Sequence, residues 1–335
     1  MKAFNHVDAK SLAAAKAALA GGKGAIIAGG TDLIGQLKDN LFYQYADDRF
    51  GKLKNKATAP QYPATLVNIK TIPGLDYIKE EGGMLKIGAT TRLADIADSK
   101  VINQKYTALA QAASRVATPH VRDMGTIAGN IAQLHRCWYF RKPENRFPCI
   151  RKGGEKCFAM SGDNRYHSIF GAAKGVPCIA VHCSDTAPAL IALDAKVVTT
   201  ARTIPVEEFF EVKLPNNTVL AADEIITEIQ VPTPKAGAKS AFLKFAIRKS
   251  IDFPIVNCAV LVGSGEPRIA LNAVAPTPYR ATKAEAAIAG KQIDKKTAEA
   301  AGDAAVADAR PLEAAKFKVQ LAKTLVKRAL LATTA

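Results

Sequence analysis

The sequence predicts a mixed α+β protein of two domains, on three observations. Short strand-like runs alternate with helical ones along most of its length. Two glycine-punctuated turns each lead into a helical segment. A stretch of linker composition, "PTPKAGAKS", separates this part from a C-terminal one in which β-rich runs precede Ala-rich helices. At 335 residues the chain is long enough for about two domains, each with a core of its own. The boundary is placed near Pro234, giving domains 1–234 and 235–335.

Taken in order, the opening "MKAFNHVDAKSLAAAKAALAGG" reads as an amphipathic Ala-rich helix. "GAIIAGG" follows as a strand that runs into a Gly-rich turn, and "TDLIGQLKDN" is the helix after it. A polar, charge-mixed excursion from about Tyr43 to Pro63 precedes the strand "TLVNI". "LDYIKEEGGMLKIGATTRLADI" contains a hairpin turning at Gly82 and Gly83, and "YTALAQAASRVA" is helical. "DMGTIAGNIAQ" is the second glycine turn entering a helix. "SDTAPALIALDAKVVTT" reads as helix then strand, and short strands continue to "EIITEIQVP". Beyond the linker, "AFLKFAIRKS", "IVNCAVLVG" and "RIALNAVAP" are strands, covered on one face by the closing helices.

Composition, with 48% hydrophobic and 23% charged residues, excludes a disordered or fibrous chain. No run reaches the roughly 18 apolar residues of a membrane span, and the N-terminal stretch lacks a continuous apolar core, so a soluble, unprocessed chain is expected. The net charge of +16 points to an anionic partner, nucleic acid being the first to weigh. Aromatic–basic interleaving and a recognisable nucleic-acid module are both missing. Much of the charge is local: between Arg136 and Lys174, nine basic residues stand against three acids. A further group, Lys318, Lys323, Lys327 and Arg328 in "FKVQLAKTLVKRALL", is expected on the solvated face of the last helix.

The basic segment also contains "RCWYFRKPENRFPCIRKGGEKCF", which holds three of the six cysteines. Six are too few and too uneven for a disulfide scaffold in a chain this long. Cys258, inside an apolar strand, reads as a small buried hydrophobe. Cys137, Cys149, Cys157 and Cys178 are separated by 11, 7 and 20 residues with no CxxC pair, which weakens a zinc-ribbon reading. An iron–sulfur cluster tolerates wide spacing because its iron corners meet different chain segments, and an anionic cluster would give the basic residues a reason. On spacing alone a cluster, a zinc site and free or redox-labile thiols all stay open. The turns "AGGTDL" and "GTIAGN" are neither a dinucleotide fingerprint nor a P-loop, yet each frees backbone N–H groups beside a Thr hydroxyl. Two of them suggest a ligand with two phosphates.

"AGGTDL", "LVNI", "IGATTRLADI", "GTIAGN", "SDTAPALIALDA" and "FLKFAIRKSIDFPIVNCAV" occur in the order found in the FAD-binding subunits of the xanthine dehydrogenase and molybdenum hydroxylase family, and the chain resembles that family over nearly its whole length. The cysteine loop, about 136–178, looks like the insertion of the branch represented by the flavoprotein subunits of 4-hydroxybenzoyl-CoA reductase and periplasmic aldehyde oxidoreductase, where four cysteines hold a 4Fe-4S cluster. The resemblance implies a two-lobed FAD-binding domain of the vanillyl-alcohol-oxidase type, followed by a smaller C-terminal domain of antiparallel strands and helices. It implies that Ala28, Gly29, Gly30, Thr31, Asp32 and Leu33 grip the FAD pyrophosphate, with Thr126, Gly129 and Asn130 opposite. Asp185 would take a ribose hydroxyl, Thr90 would lie near the cofactor and Lys249 near the flavin. Cys137, Cys149, Cys157 and Cys178 would be the cluster ligands. The sequence departs from the family at Cys183, where Pro is common, so Cys183 is left out of that set. The excursion at 43–63 is also longer than in many relatives.

The function so implied is that of an electron-transfer subunit, passing electrons between iron–sulfur clusters and an external acceptor through FAD, with no catalytic side chain of its own on the organic substrate. The chain carries no molybdopterin or plant-type 2Fe-2S motif, so a large molybdopterin-binding subunit and a small 2Fe-2S subunit are expected partners, with a possible external electron carrier and no nucleic acid. The expected compartment is the cytoplasm, or the periplasm by co-export with a signal-bearing partner. A zinc-stabilised nucleic-acid-binding protein and a free-standing flavin oxidase are the alternatives; the second leaves the cysteine loop idle.

Overall fold

The computed structural model describes residues 1–42, 55–143, 146–263 and 265–334. The excursion read at 43–63 falls largely outside them. The first layer is a three-stranded parallel sheet in which Thr65–Asn68 is flanked by Asn5–Asp8 and Gly24–Ile27. The opening is therefore not one helix. A strand comes first, and the helix is confined to Leu12–Leu19, where the Ser11 hydroxyl accepts the Ala14 N–H at 3.1 Å and sets its start. That helix is the crossover a parallel pair requires, and it buries Ala15 and Leu19 with Val67 and Ile69.

The second layer is a five-stranded antiparallel sheet in the order Ile78–Glu81, Met84–Gly88, Ile226–Pro232, Lys196–Thr199, Thr203–Pro205. Its first two strands are the predicted hairpin. Gly82 and Gly83 have φ of +60° and +71°, the two positive values that a tight turn matching the strand twist demands. Leu85, Ile87, Val197, Ile229 and Val231 are buried with residues of the helices Leu93–Asp98, Thr107–Ser114, Ile127–Ala132 and Thr186–Ala192.

The C-terminal part is a four-stranded antiparallel sheet, Lys239–Phe245, Val256–Val262, Arg268–Asn272 and Tyr279–Arg280, packed against the helices Lys295–Ala305 and Phe317–Leu331. Cys258 is fully buried in the second strand. The two helices approach closely because Gly302 has no side chain: a Cβ there would lie 2.7 Å from the Lys323 carbonyl oxygen.

One basic residue of the last helix is misplaced by the sequence reading. Lys318 is not on the solvated face but fully buried, its Nζ donating to the carbonyls of His167 at 2.8 Å and Ala273 at 2.5 Å. Position 318 lies in the first turn of the helix and faces the chain at His167 and Ala273 rather than solvent. Burial lowers its pKa to about 7, with only the Cys183 thiol opposing. The unfolded ammonium titrates near 10.5, so between about pH 7 and 10.5 the unfolded chain binds the extra proton, and this group makes the fold more stable as pH rises. We expect the unfolding free energy of the wild-type protein to gain on that of K318M across this window, with a slope of up to about 1.4 kcal/mol per pH unit. Denaturant titrations of both proteins at pH 6 to 10 read the difference, and a difference independent of pH would show that the ammonium is not desolvated.

Candidate functional site

The strand Gly24–Ile27 ends in the first glycine turn, and the second turn begins the helix Ile127–Ala132, capped by Thr126, whose Oγ1 accepts the Gly129 N–H at 3.3 Å. The turns touch. A Cβ on Gly29 would lie 2.2 Å from the Met124 carbonyl oxygen and 2.9 Å from Gly125 Cα, so glycine at 29 is dictated by the approach of the other turn's backbone. Gly30 has a different requirement, a φ of +70°. Together they wall a cleft of about 500 Å³ lined by Ala28 to Leu33, Thr126, Gly129, Asn130, Arg136, Asp185 and Phe253, among others.

Within that cleft Asp32 has a role the sequence reading does not anticipate. Its carboxylate is taken up by the protein: Arg136 at 2.7 Å and Arg141 at 2.8 Å on one oxygen, the Leu134 N–H and the Gln36 amide at 3.0 Å each on the other. Burial pushes its pKa up, but Arg141, Arg136 and the Leu134 amide outweigh it and hold the acid below its usual range. Asp32 thus fastens the first turn to the cysteine loop. Arg136 also stacks on the Phe253 ring, 4.3 Å from its centroid, where Ile251 to Phe253 close one side of the cleft.

Asp185 lines the cleft from the head of the helix Thr186–Ala192. Lys244 lies 2.7 Å from one of its oxygens and the Asn257 amide 2.8 Å from the other, both from the C-terminal sheet. Burial raises its pKa against the pull of Lys244. Asn130 joins the same corner, its Oδ1 accepting from the hydroxyls of Ser184 and, at 2.7 Å, Thr186. Two expected residues do not line the cleft. Thr90 is buried behind it with its N–H on the Leu75 carbonyl, and Lys249 is exposed, beyond the segment that reaches the cleft. The wall-forming Arg136 and Phe253, and Lys244 behind Asp185, went unassigned, although all three lie inside or beside quoted motifs.

The four cysteines of the loop gather beside this cleft. Cys137, Cys149 and Cys178 share a buried cluster with Phe140 and Ala180, and Cys157, half-buried, borders Cys178. Their sulfurs face N–H donors. The backbone amides of Phe140 and Tyr139 point at Cys137, that of Arg151 at Cys149, and those of Ile179, Ala159 and Met160 at Cys157. The His167 Nε2 is 3.1 Å from Cys137 Sγ, and the Arg151 Nε donates to Cys178 Sγ at 3.2 Å. Burial pushes the Cys137 thiol up to about 12 and Cys149 to about 11, so occupation by metal would release protons. Burial also lowers His167 to about 4, leaving a neutral ring that donates to a thiolate in the tautomer with its proton on Nε2. Among the described residues no three His, Cys, Asp or Glu converge as ligands of a single ion. Cys183 stands apart, packed with Val181 and Ala273 and lining the cleft.

Comparison with known proteins gives two matches to family models: residues 52–234 to the FAD binding domain in molybdopterin dehydrogenase, and residues 241–333 to the CO dehydrogenase flavoprotein C-terminal domain. The aldehyde oxidoreductase FAD-binding subunit of Escherichia coli (strain K12) is 31% identical, with 96% of each chain covered. The carbon monoxide dehydrogenase medium chain of Hydrogenophaga pseudoflava is 32% identical over 80% of this chain and 81% of its own length. A solved carbon monoxide dehydrogenase from Hydrogenophaga pseudoflava superposes with a TM-score of 0.71 at 29% identity, covering 99% of this chain and 97% of that one.

Because the two turns must touch to shape the cleft, Gly29→Val is expected to yield folded protein that retains little flavin, read as the ratio of flavin to protein absorbance beside a thermal melt. Full flavin occupancy would remove the turn from the site. Asp185→Ala is a poorer probe, since it strands the buried Lys244 ammonium and costs about 3–5 kcal/mol of stability besides.

Proposed function

This chain belongs to the family of FAD-binding subunits of molybdenum hydroxylase-type dehydrogenases, and from that premise we propose that it carries electrons between a four-thiolate iron–sulfur centre, FAD and an external acceptor. The observation that carries the reading is the placement of the two sites: Cys137 adjoins Arg136, which lines the cleft and binds Asp32 of the first glycine turn. The residue before the first of the four cysteines is thus itself part of the cleft wall.

For FAD, the two turns offer backbone amides to the pyrophosphate, with Thr31 and Thr126 as hydroxyl neighbours. Asp185, already oriented by Lys244 and Asn257, keeps lone pairs for a ribose hydroxyl. Arg136 and Arg141 neutralise Asp32, so the carboxylate in the first turn does not repel a phosphate. FAD, when bound, supplies the exchange between one- and two-electron chemistry; the protein supplies binding, orientation and electrostatics. In this reading no side chain of this chain acts on an organic substrate.

For the iron–sulfur centre, the fit is chemical. Three thiols in one buried cluster with a fourth beside Cys178, N–H groups aimed at three of the sulfurs and a neutral imidazole on one of them match in kind what a cubane's thiolates require. Cys178 rather than Cys183 is the fourth ligand in this reading, because Cys183 packs elsewhere. The 4Fe-4S branch of the family, the heterotrimer with a large molybdopterin subunit and a small 2Fe-2S subunit, and an external electron carrier all belong to the same proposal. The medium-chain relative supports partners of unequal size by its name.

Cys→Ser substitution tests it. At Cys137, Cys149, Cys157 or Cys178 we expect iron and acid-labile sulfide to fall towards zero while flavin is largely kept. Cys183→Ser and Cys258→Ser should hold about four irons per chain. Iron that survives Cys178→Ser but not Cys183→Ser would refute the ligand set, and zinc in anaerobically prepared protein would refute the cluster.

A further inference from the structure

Arg151 and Lys152 are the two least expected side chains of the interior. They are 1% and 0% exposed. Burying an unpaired cation is among the costliest things a fold can do, and such groups are normally matched by an acid. Neither is so matched among the described residues. Arg151 donates to Cys178 Sγ at 3.2 Å and to the Asn217 Oδ1 at 2.7 Å, and its remaining nitrogen lies 3.5 Å from the His135 ring. Among the described residues Lys152 Nζ reaches only the Tyr139 carbonyl, at 3.3 Å, with Cys149 and Cys137 as its charged neighbours when those thiols ionise. Among the described residues, the groups able to carry negative charge beside these two cations are the sulfurs of Cys178, Cys149 and Cys137.

We propose that Arg151 and Lys152 are the built-in counter-charges of the thiolate centre, and that Arg151, through its bond to Cys178, raises the centre's reduction potential. The inference rests on the iron–sulfur reading above. A four-iron cubane with four thiolates is doubly negative when oxidised and triply negative after taking up one electron, with no bond made or broken and no proton required. Two buried cations match the oxidised form. Each stabilises the reduced form more, because its attraction grows with the added charge in a medium that screens it weakly. Arginine suits the task because its guanidinium stays charged whatever its neighbours do. Its fork has a second use: with one nitrogen on Cys178 and another on Asn217, whose amide donates to the carbonyl of the cleft residue Gln133 at 3.1 Å, it holds the centre at a fixed separation from the cleft.

The test is an EPR-monitored potentiometric titration of the anaerobically purified protein, with iron and acid-labile sulfide measured on each sample. R151Q keeps hydrogen-bonding capacity but removes the charge. It should retain its iron and lower the equilibrium constant for reduction at least tenfold, a fall of 59 mV for a one-electron couple. R151K keeps the charge and loses the fork, so its shift should be the smaller. Full iron with an unmoved potential in R151Q would overturn the inference and leave the cluster reading intact; a wild-type protein without iron would sink the cluster reading first. Should R151Q lose its iron, K152Q decides, since it removes the other counter-charge without touching Cys178: a lower potential there upholds the proposal, and an unmoved one overturns it.

Discussion

The ion pair of Asp32 with Arg136 and Arg141 is the contact on which the site's geometry depends. One carboxylate accepts from both guanidinium groups and from the Leu134 amide, and all three of those donors belong to the chain entering the cysteine loop. With only about a sixth of its side chain exposed, breaking the pair would leave charge in a poorly solvated place, and removal of one partner of such a pair is strongly destabilising. The first glycine turn, the cleft and the thiol cluster are therefore held as one piece. The loop, tied further along by Arg151 to Asn217 and by Lys318 to the His167 carbonyl, is fixed at its root by this pair.

The other side of the cleft is held from the C-terminal domain. Asp185 and the residues around it follow the cysteine loop in sequence, but Lys244, Asn257 and Asn272, all on strands of the last sheet, set their positions. Lys318 extends this from the final helix, bonding the carbonyl of His167, whose ring contacts Cys137. Polar side chains buried across a domain contact impose geometry that apolar packing alone leaves loose. The C-terminal domain lends no residue of its strands to the thiol centre, yet it orients both the cleft acid and the imidazole beside the first cysteine.

The order of elements was readable because its local signals are strong: Gly82–Gly83 between alternating runs, Ser11 and Thr126 ahead of helices, and apolar strands after Pro234. The opening strand Asn5–Asp8 was not, because four residues with little alternation gain their conformation from pairing with Thr65–Asn68 sixty residues on. The glycine turns and Asp185 were legible as motifs, though what each does was only partly so. Gly29 faces the other turn's backbone, a contact between segments nearly a hundred residues apart, and Asp32 faces two arginines from the loop. Thr90 and Lys249 follow from the family resemblance, as members of the motifs "IGATTRLADI" and "FLKFAIRKSIDFPIVNCAV", and neither lines the cleft.

Charge was the feature most open to misreading. Lys318 and the pair Arg151 and Lys152 count among the 46 basic residues that suggest an anionic partner, but each is buried and none addresses a surface. Exposed lysines such as Lys142, Lys156 and Lys174 are solvated at little cost, whereas a buried cation without an acid must be stabilised by whatever lies beside it. For Lys318 that is a pair of carbonyls and a lowered affinity for its proton. For Arg151 and Lys152 it is the sulfurs of Cys178, Cys149 and Cys137, and the basic character of the loop is explained better by what it encloses than by what it could attract from outside.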